Sequence, residues 1–210
     1  DPRVTVVCGD IADPEVLDSL IDASTDSIFH LAAVVSSQAE ADFELGMRIN
    51  FTATQSMLER IRLLGTCPKW VMTSSVAVFG GQLPEQVRDD QVWAPQSSYG
   101  TQKAMNDLLL ADYSRRGFVD GRSLRMPTIV VRPGKPNLAA SSFASGIIRE
   151  PLNGQPSVCP VALDTRLWLM SPRLAIENLI HGHELSGAQL TEGRVLNMPG
   201  LSITVERMID

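Results

Sequence analysis

With 210 residues, of which 44% are hydrophobic, the chain can bury a substantial core in one large domain or two small ones. A net charge of −6 with scattered basic residues offers no surface for nucleic acid, and no apolar run approaches the ~20 residues that span a membrane. Three widely spaced cysteines, without a Cys-x-x-Cys pair, predict a reduced, cytoplasmic setting.

The first part of the chain predicts strands and helices in alternation. An apolar run at residues 4–8 predicts a buried strand that ends at a turn containing Asp10 and Ile11. Asp13 and Pro14 have the residue types of a helix N-cap and a first helical residue. A second strand is expected at residues 27–33.

A helical pattern then runs from residue 36 to residue 64, with a break expected near Gly46. We interpret His30, in the strand before it, as a buried and hydrogen-bonded structural residue rather than a catalytic one. Toward the C-terminus, strands are predicted at 157–160, 166–170 and 195–197, and a helix at 172–185.

The residues with the clearest chemistry lie in the middle of the chain. A β-rich run at 70–73 ends on Ser74 and Ser75, and Tyr99 and Lys103 then share one face of a predicted helix because they are four residues apart. A phenol with an ordinary pKa of about 10 is a poor base, but a neighbouring ammonium favours the phenolate. The pattern therefore predicts a proton-transfer site. The alternative is that Tyr99 packs at a helix start and Lys103 is solvated.

These residues resemble the sequence motifs of a known enzyme superfamily. Residues 73–80, followed by Tyr99-x-x-x-Lys103, resemble the Ser-Ser-x-x-Val-Tyr-Gly and Tyr-x-x-x-Lys signatures of the extended short-chain dehydrogenase/reductase (NAD-dependent epimerase/dehydratase) superfamily. Within it, residues 131–137 and 142–152 most resemble the D-erythronate dehydrogenase branch. The resemblance implies an α/β fold with a doubly wound, Rossmann-type parallel sheet. It divides the chain into a partial dinucleotide-binding domain (1–150) and a small substrate lobe (151–210).

One motif of the superfamily is missing from this sequence. No Gly-x-Gly-x-x-Gly or Gly-x-x-Gly-x-x-Gly turn precedes the first strand, although the superfamily holds the cofactor pyrophosphate there. We interpret the chain as an internal piece of a longer enzyme, without the first βαβ unit. The first strand would then have no partner. The sequence does not distinguish NAD from NADP, because the residue that reads the ribose 2′ position would lie in that unit.

The resemblance also implies a role for individual residues. Tyr99 is the expected base, Lys103 is expected to lower its pKa and hold the nicotinamide ribose, and Ser75 is expected to orient the substrate oxygen. Contacts with NAD are implied for Asp10, Ile11, Leu31, Ala32, Ala33, Asn50, Tyr99, Lys103 and Pro127. Contacts with the substrate are expected for Ser74, Ser75, Tyr99, Thr128, Arg132 and Arg166.

The two arginines are chosen because a planar carboxylate suits a bidentate guanidinium, and Lys135 lies behind them in the sequence. No metal site is expected, since His181 and His183 look like a helix-end pair without further ligands at suitable spacing.

The implied activity is NAD-dependent oxidation of D-erythronate, a small sugar acid, at its 2-hydroxyl by the full-length parent. Two alternatives stay open. An epimerase or dehydratase of nucleotide sugars would use the same Ser, Tyr and Lys, and a dinucleotide-sensing scaffold would keep the motif without catalysis. The sequence is compatible with a homodimer but does not fix the oligomeric state.

Overall fold

The structure is a computed structural model that describes residues 1–134, 139–190 and 193–210. Its strands are β1 (Ser27–His30), β2 (Lys69–Ser75), β3 (Asp120–Met126), β4 (Thr128–Ile129), β5 (Arg166–Met170), β6 (Val195–Asn197) and β7 (Leu201–Thr204). Its α-helices are α1 (Pro14–Leu20), α2 (Ser36–Ala41), α3 (Phe43–Gly46), α4 (Ala53–Leu64), α5 (Ser98–Arg115), α6 (Phe143–Leu152), α7 (Pro172–Glu184) and α8 (Glu206–Ile209).

A parallel four-stranded sheet in the order β1-β2-β3-β6 forms the centre of the molecule. Both of its faces are covered, which explains why β2 and β3 are buried along most of their length. On one face, α1, α4 and α5 enclose the core cluster Leu17, Ile21, Met57, Leu58, Ile61, Trp70, Met72, Leu110 and Val119. On the other face, Leu124 and Met170 belong to a second cluster against which α7 packs. The predicted doubly wound α/β fold is confirmed.

A second, smaller sheet contains β4, β5 and β7, with β5 parallel to β4 and antiparallel to β7. Each of the two sheets contains strands from before and from after residue 150. Strand β4, from before that position, joins the small sheet, and β6, from after it, completes the large one. The division into 1–150 and 151–210 therefore stays a prediction from the sequence.

Local signals at the helix ends are confirmed. Asp13 accepts a hydrogen bond from the Glu15 backbone N–H as N-cap of α1, and Pro14 follows as its first residue. The helical pattern from 36 to 64 is broken twice. One break is at Asp42, and a π-helical segment, Met47–Thr52, begins directly after Gly46.

Two strand predictions are wrong. Residues 4–8 form no strand, and Val4 and Val6 are 66% and 81% exposed. A strand needs a neighbour for its backbone groups, and within the described residues β1 pairs only with β2. Residues 157–160 also lie outside any strand. Pro156 and Pro160 lack an N–H donor, and the run between them is too short to pair with a strand. No helix of the described part is long and apolar enough to cross a membrane.

Candidate active site

Ser75, Tyr99 and Lys103 meet where β2 ends. Ser75 is the last residue of β2, and α5 carries Tyr99 and Lys103 past that end in its first two turns. The Ser75 hydroxyl lies close enough to the Tyr99 phenol to influence the pKa of the phenol. The Lys103 Nζ atom lies 5.7 Å from the centre of the Tyr99 ring and donates a hydrogen bond to the Thr73 carbonyl oxygen at 2.7 Å. The three side chains predicted to meet are brought together.

Burial is the main influence on the charge of these groups. It raises the pKa of the Tyr99 phenol, and the nearby Ser75 hydroxyl acts in the opposite direction. Burial also lowers the pKa of Lys103 to about 8, although the charge of the Asp107 carboxylate acts to raise that pKa. The expectation that Tyr99 has a lowered pKa is wrong for this structure, because desolvation of the phenolate outweighs its stabilisation.

The two strand-end serines have different partners. The buried Ser74 donates its hydroxyl to Asp107 Oδ2 at 3.0 Å, whereas Ser75 faces Tyr99 and accepts a hydrogen bond from the Ala77 N–H at 3.1 Å. Successive residues of a strand point to opposite faces, so only one of the pair can face the phenol. The geometry favours Ser75 over Ser74 as the serine that orients a substrate.

Asn50 lies in the π-helical segment and is buried beneath the site. Its Oδ1 accepts a hydrogen bond from the Val34 N–H at 2.7 Å, and its Nδ2 donates to the Val34 carbonyl and to Gln102 Oε1. Its own carbonyl accepts a hydrogen bond from Asn106 Nδ2 at 2.6 Å. Asn50 therefore ties the loop after β1 to α5, and its amide is occupied by protein partners. A direct contact with the cofactor stays a prediction.

His30 is buried and hydrogen-bonded, as its strand position predicted. Its Nε2 lies 2.9 Å from Thr54 Oγ1, and its ring packs 5.4 Å from that of Trp70. Burial, reinforced by the charge of Lys103, lowers the pKa of His30 to about 4. A neutral, enclosed imidazole with a protein partner fits a structural role.

The other predicted cofactor residues lie along the carboxyl ends of the strands or in the N-terminal turn. Leu31 and Ala32 are exposed just past β1, with Ala33 half-buried, and Pro127 is buried just past β3. In the N-terminal turn, the exposed Asp10 carboxylate accepts hydrogen bonds from Ala12 N and Arg48 Nη1, which lower its pKa, and the half-buried Ile11 follows it.

The residues present fit the ribose and nicotinamide end of a dinucleotide. An ammonium carries three N–H donors, and the hydrogen bond to Thr73 uses one of those on Lys103, which leaves donors for ribose hydroxyls. Ala32 and Ala33 present small side chains at the strand end, where ligands bind in open α/β sheets.

A cavity of about 670 Å³ opens beside the site, between the two sheets. It is lined by Thr128 and Arg166, two of the predicted substrate residues, and by Val76 and Phe79, which follow Ser75 in the chain. A groove of about 460 Å³ between α1 and α4 contains none of the predicted site residues.

Arg132 does not line that cavity. Its backbone N–H donates to Ser145 Oγ, and its carbonyl accepts a hydrogen bond from Arg149 Nη1 at 2.6 Å. Burial and the charge of Arg149 lower the pKa of the Arg132 guanidinium. Of the two arginines predicted to bind the carboxylate, the structure brings only Arg166 to the cavity. Lys135 lies outside the described residues.

The structure also shows functional candidates that the sequence analysis missed. Asp107 and Arg125 form an ion pair beneath the site with side-chain exposures of 0% and 2%. A signal was present, because Asp107 follows Lys103 by four residues on α5 and Arg125 interrupts a buried strand. His183 stacks on Phe29, and no group of three metal-ligating side chains occurs among the described residues.

Residues 1–168 match the NAD dependent epimerase/dehydratase family. The parallel sheet and the meeting of Ser75, Tyr99 and Lys103 agree with this match. The chain belongs to the NAD dependent epimerase/dehydratase family.

Two similar proteins are named D-erythronate dehydrogenase. The one from Cupriavidus necator is 63% identical over 210 residues, and the one from Haemophilus influenzae is 51% identical over 209 residues. The matches cover 100% of this chain, and the chain spans 65% and 66% of the length of these relatives.

A similar solved structure is the nucleoside-diphosphate-sugar epimerase from Agrobacterium tumefaciens. It is 50% identical to this chain with a TM-score of 0.90, over 94% of this chain and 59% of the solved one. Relatives of high identity therefore carry the names of two different activities.

Proposed function

We propose that the complete protein is an NAD-dependent dehydrogenase that oxidises D-erythronate at its 2-hydroxyl to the 2-keto acid. The observation that carries the proposal is the meeting of Ser75, at the end of β2, with Tyr99 and the buried ammonium of Lys103. The substrate rests on the two D-erythronate dehydrogenases, which are similar to the chain over its whole length.

Each of the three residues has a role that its surroundings support. Bound NAD supplies the acceptor for the hydride that leaves carbon 2. Tyr99, as the phenolate, takes the proton of the 2-hydroxyl, and Ser75 holds the same oxygen through its hydroxyl. Lys103 holds ribose hydroxyls with its remaining N–H groups and places positive charge near the phenol.

Burial of Tyr99 opposes the formation of the phenolate that the proposed mechanism needs. The pKa of Tyr99 is raised by desolvation, so the uncharged phenol is favoured when no other charge is near. Positive charge close to the ring lowers that pKa, and each pKa unit corresponds to about 1.36 kcal/mol of differential interaction. We expect Tyr99 to become an effective base only in the loaded enzyme.

Arg166 is the proposed partner of the substrate carboxylate. It lines the same cavity as Thr128, and the guanidinium can hold a carboxylate through two parallel hydrogen bonds. In the complete protein, Arg166→Gln should raise the KM for D-erythronate about 10- to 100-fold, as loss of a hydrogen bond to a charged group implies. Arg173→Gln is the control, since Arg173 is exposed and pairs with Glu177 on α7. An unchanged KM in Arg166→Gln would assign the carboxylate to another cation.

The activity itself is tested with the purified complete protein and a panel of four-carbon sugar acids, each with NAD and with NADP. We expect reduced cofactor to accumulate with D-erythronate and NAD.

The free thiols of Cys8, Cys67 and Cys159 support the proposal of a cytoplasmic enzyme, and a homodimer stays a prediction.

A second candidate function is epimerisation or dehydration of a nucleotide sugar, favoured by the name of the Agrobacterium tumefaciens structure. Such an enzyme regenerates its cofactor within each turnover. Conversion of a nucleotide sugar without net reduced cofactor, together with no oxidation of sugar acids, would favour this second function. A protein that binds the cofactor and converts neither substrate class would be the scaffold.

A further inference from the structure

A second layer of polar side chains lies beneath the candidate active site. Asp107, on α5, accepts hydrogen bonds at Oδ2 from Arg125 Nε at 3.1 Å and Arg125 Nη2 at 2.9 Å. The same oxygen accepts the hydroxyl of Ser74 at 3.0 Å, and Oδ1 accepts that of Ser123. One carboxylate therefore joins β2, β3 and α5.

Arg125 extends this network to the connection between Ser75 and Tyr99. Its guanidinium carbon lies 4.0 Å from the ring centre of Trp93 and 5.1 Å from that of Phe79. Both rings belong to residues 79–97, which link the two proposed catalytic residues in the chain. The guanidinium thus holds this connection against the end of the sheet.

We propose that Asp107 and Arg125 are positioning residues that fasten the end of β2, the start of α5 and the 79–97 connection into the arrangement in which Ser75 meets Tyr99. This inference rests on the proposed function, since it concerns the same site. Ser74, which Asp107 holds, directly precedes Ser75, and in the register of the sheet Ser74 is paired with Arg125.

Stability alone is a weak reason for such a pair. Removing two charges from water costs so much that a buried ion pair is often no more stable than apolar side chains of the same volume. The pair does supply fixed directions, because the carboxylate and the guanidinium each accept or donate along defined lines. A role in positioning other residues depends on these fixed directions, whereas packing of the core does not.

Asp107 also faces the ammonium of Lys103, one helical turn away. Within the described residues, the charged and titratable groups around Lys103 are Asp107 and Tyr99 from α5 and His30 from β1, with Arg125 of β3 behind the carboxylate. Burial lowers the pKa of Lys103 to about 8, and Asp107 opposes that effect. Burial raises the pKa of Asp107, but its hydrogen bonds and the charge of Arg125 oppose that effect. As a carboxylate, Asp107 helps to keep Lys103 protonated near neutral pH.

The first test is Asp107→Asn in the complete protein, which keeps the side-chain shape but removes the charge. We expect kcat to fall about 10- to 100-fold, the effect of a small misplacement of catalytic groups. We also expect the alkaline limb of the kcat pH profile to move to lower pH. The matched control is Asp120→Asn, because Asp120 pairs with the buried Arg122 at the opposite end of β3 and should affect stability alone.

A second measurement does not depend on activity. The chain has three lysines, so selective ¹³C labelling of lysine gives an NMR titration in which Lys103 can be assigned with Lys103→Arg. We expect the titration midpoint of Lys103 near pH 8, and a lower midpoint in Asp107→Asn. An unchanged midpoint would overturn the electrostatic part of the proposal even if the protein oxidised no sugar acid.

The positioning part has its own variant if Asp107→Asn does not fold. Trp93→Leu removes a half-buried ring from Arg125 without touching the ion pair. We expect a folded protein with kcat reduced about tenfold on whichever substrate the wild type converts, and an almost unchanged KM. A folded Trp93→Leu protein with wild-type kcat would overturn the positioning role.

Discussion

The ammonium of Lys103 lies 5.7 Å from the ring centre of Tyr99 but donates its hydrogen bond to the backbone of β2, at the Thr73 carbonyl. Lys103 is therefore held beside the phenol ring, in a position fixed by the strand. The same ammonium is buried, with a pKa lowered to about 8. The charge that should help Tyr99 ionise is itself lost at moderately alkaline pH.

This relationship predicts a bell-shaped dependence of kcat on pH. In the loaded enzyme, where we expect positive charge to lower the raised pKa of Tyr99, activity should rise as Tyr99 gives up its proton and fall above about pH 8 as Lys103 loses its charge. Lys103→Arg keeps the charge at all accessible pH values, so it should remove the alkaline fall even if kcat is lower. Lys69→Arg is the control, since Lys69 binds the His183 carbonyl away from the site. An alkaline fall that persists in Lys103→Arg would assign it to another group.

The two serines should separate by their effects. Ser75→Ala removes the hydroxyl that faces Tyr99, and we expect kcat to fall about 100-fold. The same change removes the acceptor of the Ala77 N–H, so it should also lower the free energy of unfolding by about 1 kcal/mol. Ser74→Ala removes a donor to the buried Asp107, so it should lower the free energy of unfolding by about 1–3 kcal/mol and reduce kcat less. Steady-state kinetics and urea denaturation of both variants measure this difference. The reverse ranking of kcat would make Ser74 the orienting serine.

Gly100 should be intolerant of a side chain, although it lies inside a helix. A Cβ atom there would approach the Ala77 carbonyl oxygen to 2.2 Å and the Pro95 Cβ to 3.1 Å. Gly100→Ala should push the turn after Ser75 away from α5, with kcat reduced about 100-fold. Gly193→Ala serves as control, since no described residue other than its chain neighbours lies within 4 Å of its Cβ position. Kinetics equal to those of the control would show that the turn can move without harm.

His30 predicts how stability depends on pH. Its pKa is about 4 in the folded protein and about 6.5 when unfolded, so the unfolded chain binds more protons between these values. The contribution of His30 to the free energy of unfolding should be fully present above pH 6.5 and lost as pH falls toward 4, a change of about 3 kcal/mol. Urea denaturation at pH 7.5 and pH 4.5 should show a smaller loss for His30→Gln than for wild type. The exposed His181→Gln should behave as wild type, and equal losses in all three would exclude His30 as the source.

Short-range signals predicted much of this structure. The Asp13-Pro14 start of α1, the spacing of Tyr99 and Lys103 and the strand that ends at Ser75 depend on neighbours in the chain, and each was predictable. Residues 4–8 were not, because an apolar run becomes a strand only if another strand lies beside it. Pairing partners are set by tertiary structure.

The candidate site shows the same division. Its motif residues were recognisable, whereas the direction of the Tyr99 pKa was not, because burial depends on everything that packs around the phenol. The ion pair of Asp107 and Arg125 joins two elements across the core, so local patterns could mark the two residues but not the contact between them. Predicting it required both the strand register and the face of α5.

The most direct test of the account is Tyr99→Phe in the complete protein, because this change removes the phenol oxygen and leaves the ring beside Lys103. Oxidation of D-erythronate with NAD should fall about 1,000-fold, while the affinity for NADH, measured by fluorescence, should stay close to that of the wild type. Oxidation at a rate near that of the wild type would contradict the assignment of Tyr99 as the base.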